Sequence, residues 1–225
     1  MKAYLEPTDL KRLEEAATCL RDRLLIRVLR KLGCRISEAL ALRVEDIDFT
    51  AGTLTILHLK SRIRSNCPRC GARLGKKHKF CPGCGSKVDK VANREEIHHR
   101  MRTLPIDSDT LKMAADFIRR DKTRGLIFRI SRHRAWQVVR DCAARTGLTS
   151  LINPETGKIH GISPHCFRNA FVVHAMKSNG SADGIRMLQV HLGHASFNST
   201  ARYRKVAGEE LKQWYDHLWE EKNGD

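Results

Sequence analysis

Tyr203 closes the run His191-Leu192-Gly193-His194-Ala195-Ser196-Phe197-Asn198-Ser199-Thr200-Ala201-Arg202-Tyr203. Upstream lie a His-x-x-Arg segment, His165 and Arg168, and farther back Arg35-Ile36-Ser37-Glu38. Breaking a phosphodiester without a metal requires a nucleophile, cations for the non-bridging oxygens and a proton donor for the leaving oxygen. A phenol, guanidinium groups and imidazoles supply those three functions.

A second set of residues has metal-ligand spacing. Cys67-Pro68-Arg69-Cys70-Gly71 and Cys81-Pro82-Gly83-Cys84-Gly85 are two copies of C-P-x-C-G. Two intervening residues let both sulfurs of a tight turn reach one tetrahedral ion, and the following glycine permits a positive φ that aims backbone amides at the thiolates. Four cysteines close the coordination shell, so the expected ion is structural zinc, with rubredoxin-like iron as the competitor. His78, between the pairs, is a lesser candidate ligand. The other cysteines, Cys19, Cys34, Cys142 and Cys166, stand alone and read as reduced core thiols.

Charge restricts the partner. Lys and Arg number 42 against 25 Asp and Glu, a net +17, and such a balance favours a polyanion because each neutralised phosphate releases counterions. No apolar run of roughly twenty residues is present to span a membrane. Met1 to Pro7 lacks the apolar stretch of a secretory signal, which places the protein in the cytoplasm.

These groups need elements to position them. Leu10, Leu13, Ala17, Leu20, Leu24 and Val28 recur at helical spacing from Pro7 to Gly33 and predict one long amphipathic helix. A short helix over Ser37 to Leu42 carries Arg35 at its start. Thr53 to Leu59 alternates as a strand and pairs with a second extended stretch, Glu96 to Ile106, in a hairpin. Ser61 to Asn93 is nearly devoid of large apolar residues and holds both cysteine pairs, so it needs a metal staple. Further helices are expected over Asp109–Arg120, Arg134–Thr146, Pro164–Asn179, Ala182–Leu192 and about Gly208–Glu221, with a surface loop over Leu151–Ile162. The fold class is mainly α with a small antiparallel β-sheet.

In this order the segments resemble the tyrosine recombinases, or phage-type integrases. The matching residues are Gly33-Cys34-Arg35-Ile36-Ser37-Glu38, Lys60 with its return strand Arg102-Thr103-Leu104-Pro105, Pro164-His165-Cys166-Phe167-Arg168, Leu192-Gly193-His194 and Tyr203. The resemblance implies a DNA breaking-rejoining catalytic domain over residues 1–225, with a zinc module inserted at 61–93. It implies that Tyr203 attacks a DNA phosphate to give a 3′-phosphotyrosine, that Arg35 and Arg168 hold the phosphate, and that His194 donates to it. Lys60 would protonate the leaving 5′-oxygen, His165 would assist proton transfer at the tyrosine, and Glu38 would orient the site. The reaction so implied uses no catalytic metal, acts on double-stranded DNA, and involves an oligomer assembled on that DNA.

Two departures from the family pattern follow. Family members usually carry an N-terminal clamp domain, whereas this chain begins almost at the catalytic domain. Either that clamp was removed, or it is supplied elsewhere, or the basic module compensates, with Arg62, Arg64, Arg69, Arg73, Lys76, Lys77 and Lys79, in or beside the metal loop, as candidate DNA contacts. The tail from Val206 to Trp219 is an amphipathic helix suited to docking on a neighbouring protomer or in cis. A type IB topoisomerase-like enzyme and a non-catalytic zinc-containing DNA-binding protein are the alternative functions.

Overall fold

The computed structural model describes residues 2–58, 62–75, 78–88, 92–96, 100–153 and 156–193. They form two compact units, residues 2–36 with 133–193 and residues 37–132. The expected helix after 208 and the tail lie outside the described residues.

The first unit is helical. The stretch expected as one helix is two, α1 (Pro7–Glu15) and α2 (Leu20–Leu32). The buried Glu14 explains the break, because its carboxylate pairs with Arg27 at 2.5 Å and Arg30 at 3.1 Å. A straight helix would separate Glu14 from Arg27 by about 20 Å, so the chain must fold back. Cys19, at the fold, adopts an extended backbone and is exposed, which corrects its reading as a core thiol. Cys34, Cys142 and Cys166 are buried as expected, and burial pushes the Cys142 thiol pKa up.

The apolar stripe of α2 (Leu24, Leu25, Val28, Leu29, Leu32) is buried, as are Ala135, Val138 and Val139 of α5 (Arg132–Thr146). Each large side chain so buried contributes about 1.5–3 kcal/mol. α6 (Pro164–Ser178) starts with Pro164 in its first turn behind Ser163 and packs on α2. Val172 of α6 meets Leu188 and Leu192 of α7 (Ala182–Leu192). In this unit the expected loop over Leu151–Ile162 contains two short paired strands, Ser150–Ile152 and Ile159–Gly161. Leu151 and Ile162 are buried there, a use of apolar residues that the Asn-Pro and Gly punctuation concealed.

The second unit opens with α3 (Ile36–Leu40) and contains the strands β1 (Ile47–Asp48), β2 (Thr53–His58), β3 (Arg62–Asn66), β4 (Arg73–Leu74), β5 (Ala92–Glu96) and β6 (Arg100–Pro105), followed by α4 (Ser108–Arg120). Asp107 caps α4 by accepting from the Thr110 amide at 3.1 Å. The expected hairpin is the antiparallel pair β2–β6, with Leu54 opposite Leu104 and Ile56 opposite Arg102. β3 pairs with β5 in the same register, since positions 58 and 100 sum to the same value as positions 62 and 96. The cysteine module lies between the strands of the β3–β5 ribbon, which belongs to a second sheet but shares the phase of β2–β6; β3 falls inside the Ser61–Asn93 segment and β5 straddles its end. Leu54, Ile56 and Leu104 are buried, so these even-numbered positions of the β2–β6 pair face inward.

Gly33 ends α2 with φ +55°, and a Cβ there would lie 2.6 Å from the Phe171 ring. Gly147 shares the positive φ (+73°) but faces open space. Gly33→Ala should thus lose about 1–3 kcal/mol beyond the backbone cost shared with Gly147→Ala. Urea unfolding of both variants measures the difference.

Candidate active site and metal centre

Three separated segments of the first unit meet at Arg168. This arginine of α6 is 3% exposed. Its Nη1 donates to the Gly33 carbonyl at 2.9 Å and its Nη2 to the Leu192 carbonyl at 2.9 Å. Those carbonyls belong to the C-terminal ends of α2 and α7, where orphan acceptors and the negative end of each helix dipole gather. His191 reinforces the junction: it stacks on Phe171 with ring centroids 4.8 Å apart and, with the proton on Nε2, donates to the Leu32 carbonyl at 3.0 Å. This hydrogen bond to α2 was not legible in sequence.

Both helices then end in a left-handed glycine, Gly33 at φ +55° and Gly193 at φ +63°. Arg35 follows the first by two residues and His194 follows the second directly. His165, one helical turn before Arg168, is brought close enough to Arg168 and Arg35 to feel their charge. It keeps solvent access on one side, yet loss of hydration within the fold, and then the charges of Arg168 and Arg35, hold its pKa below the ordinary 6.5.

Glu38, in the second unit, is buried and accepts from Arg102 of β6 at 2.8 Å. Arg102 was legible only as part of a return strand. Its pairing follows from an inward strand position that places a cation out of water, where it requires a carboxylate. Lys60, His194 and Tyr203 lie outside the described residues.

The four cysteines converge. Cys67, Cys70, Cys81 and Cys84 have all their sulfurs within 4.8 Å of one another, with Cys67–Cys84 at 3.7 Å and Cys70–Cys81 at 3.5 Å. Tetrahedral zinc with Zn–S bonds near 2.3 Å requires sulfurs about 3.8 Å apart, so the donor set fits a metal ion. The two knuckles repeat one backbone pattern: Gly71 donates to the Cys67 carbonyl and Gly85 to that of Cys81, each at 2.9 Å. Gly71 and Gly85 have φ +75° and +67°, as the motif requires. The Ser86 hydroxyl and the Cys70 and Arg69 amides lower the Cys67 thiol to about 6. A small cluster of Leu74, Ala72 and Val88 packs against the sulfurs, more core than the composition suggested. His78 is not part of the sulfur group; its Nδ1 accepts from the Gly75 amide at 3.3 Å.

Of the candidate DNA contacts, Arg69, Arg73 and Lys79 are exposed on this module. Arg62 and Arg64 lie on β3, in register with Glu96 and Arg94. Lys76 and Lys77 lie outside the described residues. Among the described residues no helix is long and apolar enough to cross a membrane.

Residues 3–69 match the phage integrase family. Tyrosine recombinase XerD of Mycobacterium leprae (strain TN) is 31% identical over 211 residues, 94% of this chain and 56% of that protein. The chain belongs to the tyrosine recombinase, or phage-type integrase, family. Its fold is shared with the crystal structure of XerA recombinase, at TM-score 0.62 and 20% identity over 97% of this chain and 64% of that one. It is shared too with XerH site-specific recombinase bound to difH substrate in a pre-cleavage complex, at TM-score 0.58 and 18% identity over 97% and 55% of the two chains. The chain spans about half the length of the curated relatives it matches.

The lowered pKa of His165 sets a direction for acid stability. The folded group resists protonation while the unfolded one titrates near 6.5, so stability is full above about pH 6.5 and declines as pH falls below it. His165→Gln should lose less stability than the wild type between pH 7.5 and 5.5, as read by urea midpoints.

Proposed function

We propose that this chain cleaves and rejoins double-stranded DNA as a tyrosine-type site-specific recombinase, working as an oligomer on its target in the cytoplasm. The observation that supports the reading most is the Arg168 junction, since the Gly33 and Leu192 carbonyls bound by its guanidinium lie two residues before Arg35 and His194. XerH, which shares the fold, is bound to its difH substrate.

In the reaction, the Tyr203 phenolate oxygen attacks phosphorus and the P–O bond to the 5′-oxygen breaks. His165, held neutral at pH 7 by its surroundings, takes up the phenolic proton. Arg35 and Arg168 bind the non-bridging oxygens, with Arg168 fixed in advance so that little reorganisation is left for the transition state. His194 donates to the same oxygens as charge grows. Lys60 gives a proton to the departing 5′-oxygen. Glu38 positions β6 through Arg102. Rejoining reverses the steps with a 5′-hydroxyl as nucleophile.

Residues 61–93 act as an inserted module around a structural zinc ion held by Cys67, Cys70, Cys81 and Cys84, and its cations extend the contact with DNA. The sulfur spacing and the repeated knuckle geometry support the metal assignment. Zinc supplies a cross-link and takes no part in the reaction.

Two measurements test these readings. With a nicked suicide substrate built from DNA flanking the gene, the wild type should form a covalent adduct, Tyr203→Phe should form none, and Arg168→Lys should cleave about 100-fold more slowly or worse. An adduct that persists in Tyr203→Phe excludes this nucleophile. Metal analysis of purified protein should give one zinc per chain with no visible absorption band, and Cys81→Ser should lose it. A coloured iron centre would refute the zinc assignment.

A further inference from the structure

One aromatic side chain at the tip of the ribbon has no place in the module's own packing. Phe80 is 60% exposed, although it directly precedes the buried Cys81. The cluster around the sulfurs consists of Leu74, Ala72 and Val88, without it. Its backbone is nonetheless held on both sides. Phe80 bridges Lys87, the Val88 amide donates to the Lys79 carbonyl at 2.9 Å, and the Cys81 amide donates to that of Ser86 at 2.8 Å. The ring is therefore displayed from a backbone fixed within the metal knuckle.

Its setting in sequence is basic. Positions 61–88 contain eight Lys or Arg residues and no carboxylate, and Lys79, next to Phe80 in sequence, and Lys87, its bridge partner, are exposed. Such a surface repels its own copy and attracts a polyanion that also presents apolar edges. Duplex DNA has both, phosphates at the rim and sugars and base edges within the groove. Loading zinc onto four thiolates leaves a centre of net charge −2, so the metal organises this surface without adding positive charge to it.

We infer that Phe80, with Lys79 and Lys87, forms a second duplex-DNA contact remote in sequence from the catalytic residues, the ring entering a groove while the two lysines hold phosphates. This rests on the DNA reading above. The test uses the full, zinc-loaded chain and a fluorescein-labelled random-sequence duplex, with anisotropy recorded over a range of salt. Phe80→Ala and Phe80→Gln should weaken binding about tenfold at every salt concentration and leave the slope of log Kd against log salt unchanged. Lys79→Gln with Lys87→Gln should lower that slope by about 1.8. Phe80→Trp should bind as the wild type and change its emission when DNA is added. Equal zinc content shows that each variant retains the module. Affinity within twofold of wild type in both Phe80→Ala and Phe80→Gln overturns the inference. So does unchanged affinity joined to dissociation of the DNA-free protein in sedimentation, which assigns the ring to a contact between chains. Covalent adduct formation at saturating protein separates the two proposals. If the wild type forms no adduct while the Phe80 variants still bind duplex weakly, the groove contact stands and the recombinase reading fails.

Discussion

A buried guanidinium is the constraint on which the catalytic unit depends. An isolated cation withdrawn from water is prohibitively costly, and Arg168 is made tolerable by two helix C-termini that converge on it. Each contributes partial negative charge of roughly half a unit, so α2 and α7 together balance one guanidinium. The dependence runs both ways. Gly33 and Leu192 expose carbonyls that their own helices cannot satisfy, and Arg168 satisfies them from α6. Three helices are thereby locked by electrostatics as well as by the apolar contacts of Val172, Leu188 and Leu192. The two left-handed glycines release the chain at that point, so Arg35 follows one helix end and His194 the other.

Much of this was legible in the sequence, for identifiable reasons. The α6 and α7 segments announced themselves through helical spacing, and the β2–β6 pair through alternation. Cysteine spacing identified the four thiols that converge, because two residues between thiols leave little geometric freedom. The misjudged elements were those in which tertiary charge pairing overrides local pattern. Leu10 to Val28 keep helical spacing straight through the break after Glu15, since both halves bury an apolar stripe against the same core. Only Glu14, reaching Arg27 and Arg30, reveals that the chain turns. The short pair Ser150–Ile152 and Ile159–Gly161 was hidden by loop-type punctuation. The catalytic-family residues could be named from motif order, but the reason Arg168 is fixed in place could not, because backbone carbonyls carry no sequence signature.

Glu38 and Arg102 show the same logic in the second unit. A carboxylate on a short helix and a cation at an inward strand position are each unfavourable alone when buried. Together they tie α3 to β6 at 2.8 Å. Such a pair specifies alignment more than it adds stability, and here it falls at Arg102, opposite Ile56 in the β2–β6 pair.

The unchanged register along that ribbon has one more consequence. A strand's side chains alternate with a period of two, so a residue added to one strand alone reverses every face beyond it. Here β2 with β6 and β3 with β5 keep a single phase, and the metal knuckles close the far end without disturbing it. The ribbon therefore works as a socket. A tight turn or a different folded cap, of any length, fits between Asn66 and Ala92 while each inward and outward position beneath it stays put. A change confined to the stretch between Asn66 and Ala92 leaves the pairing of β2 with β6 as it is.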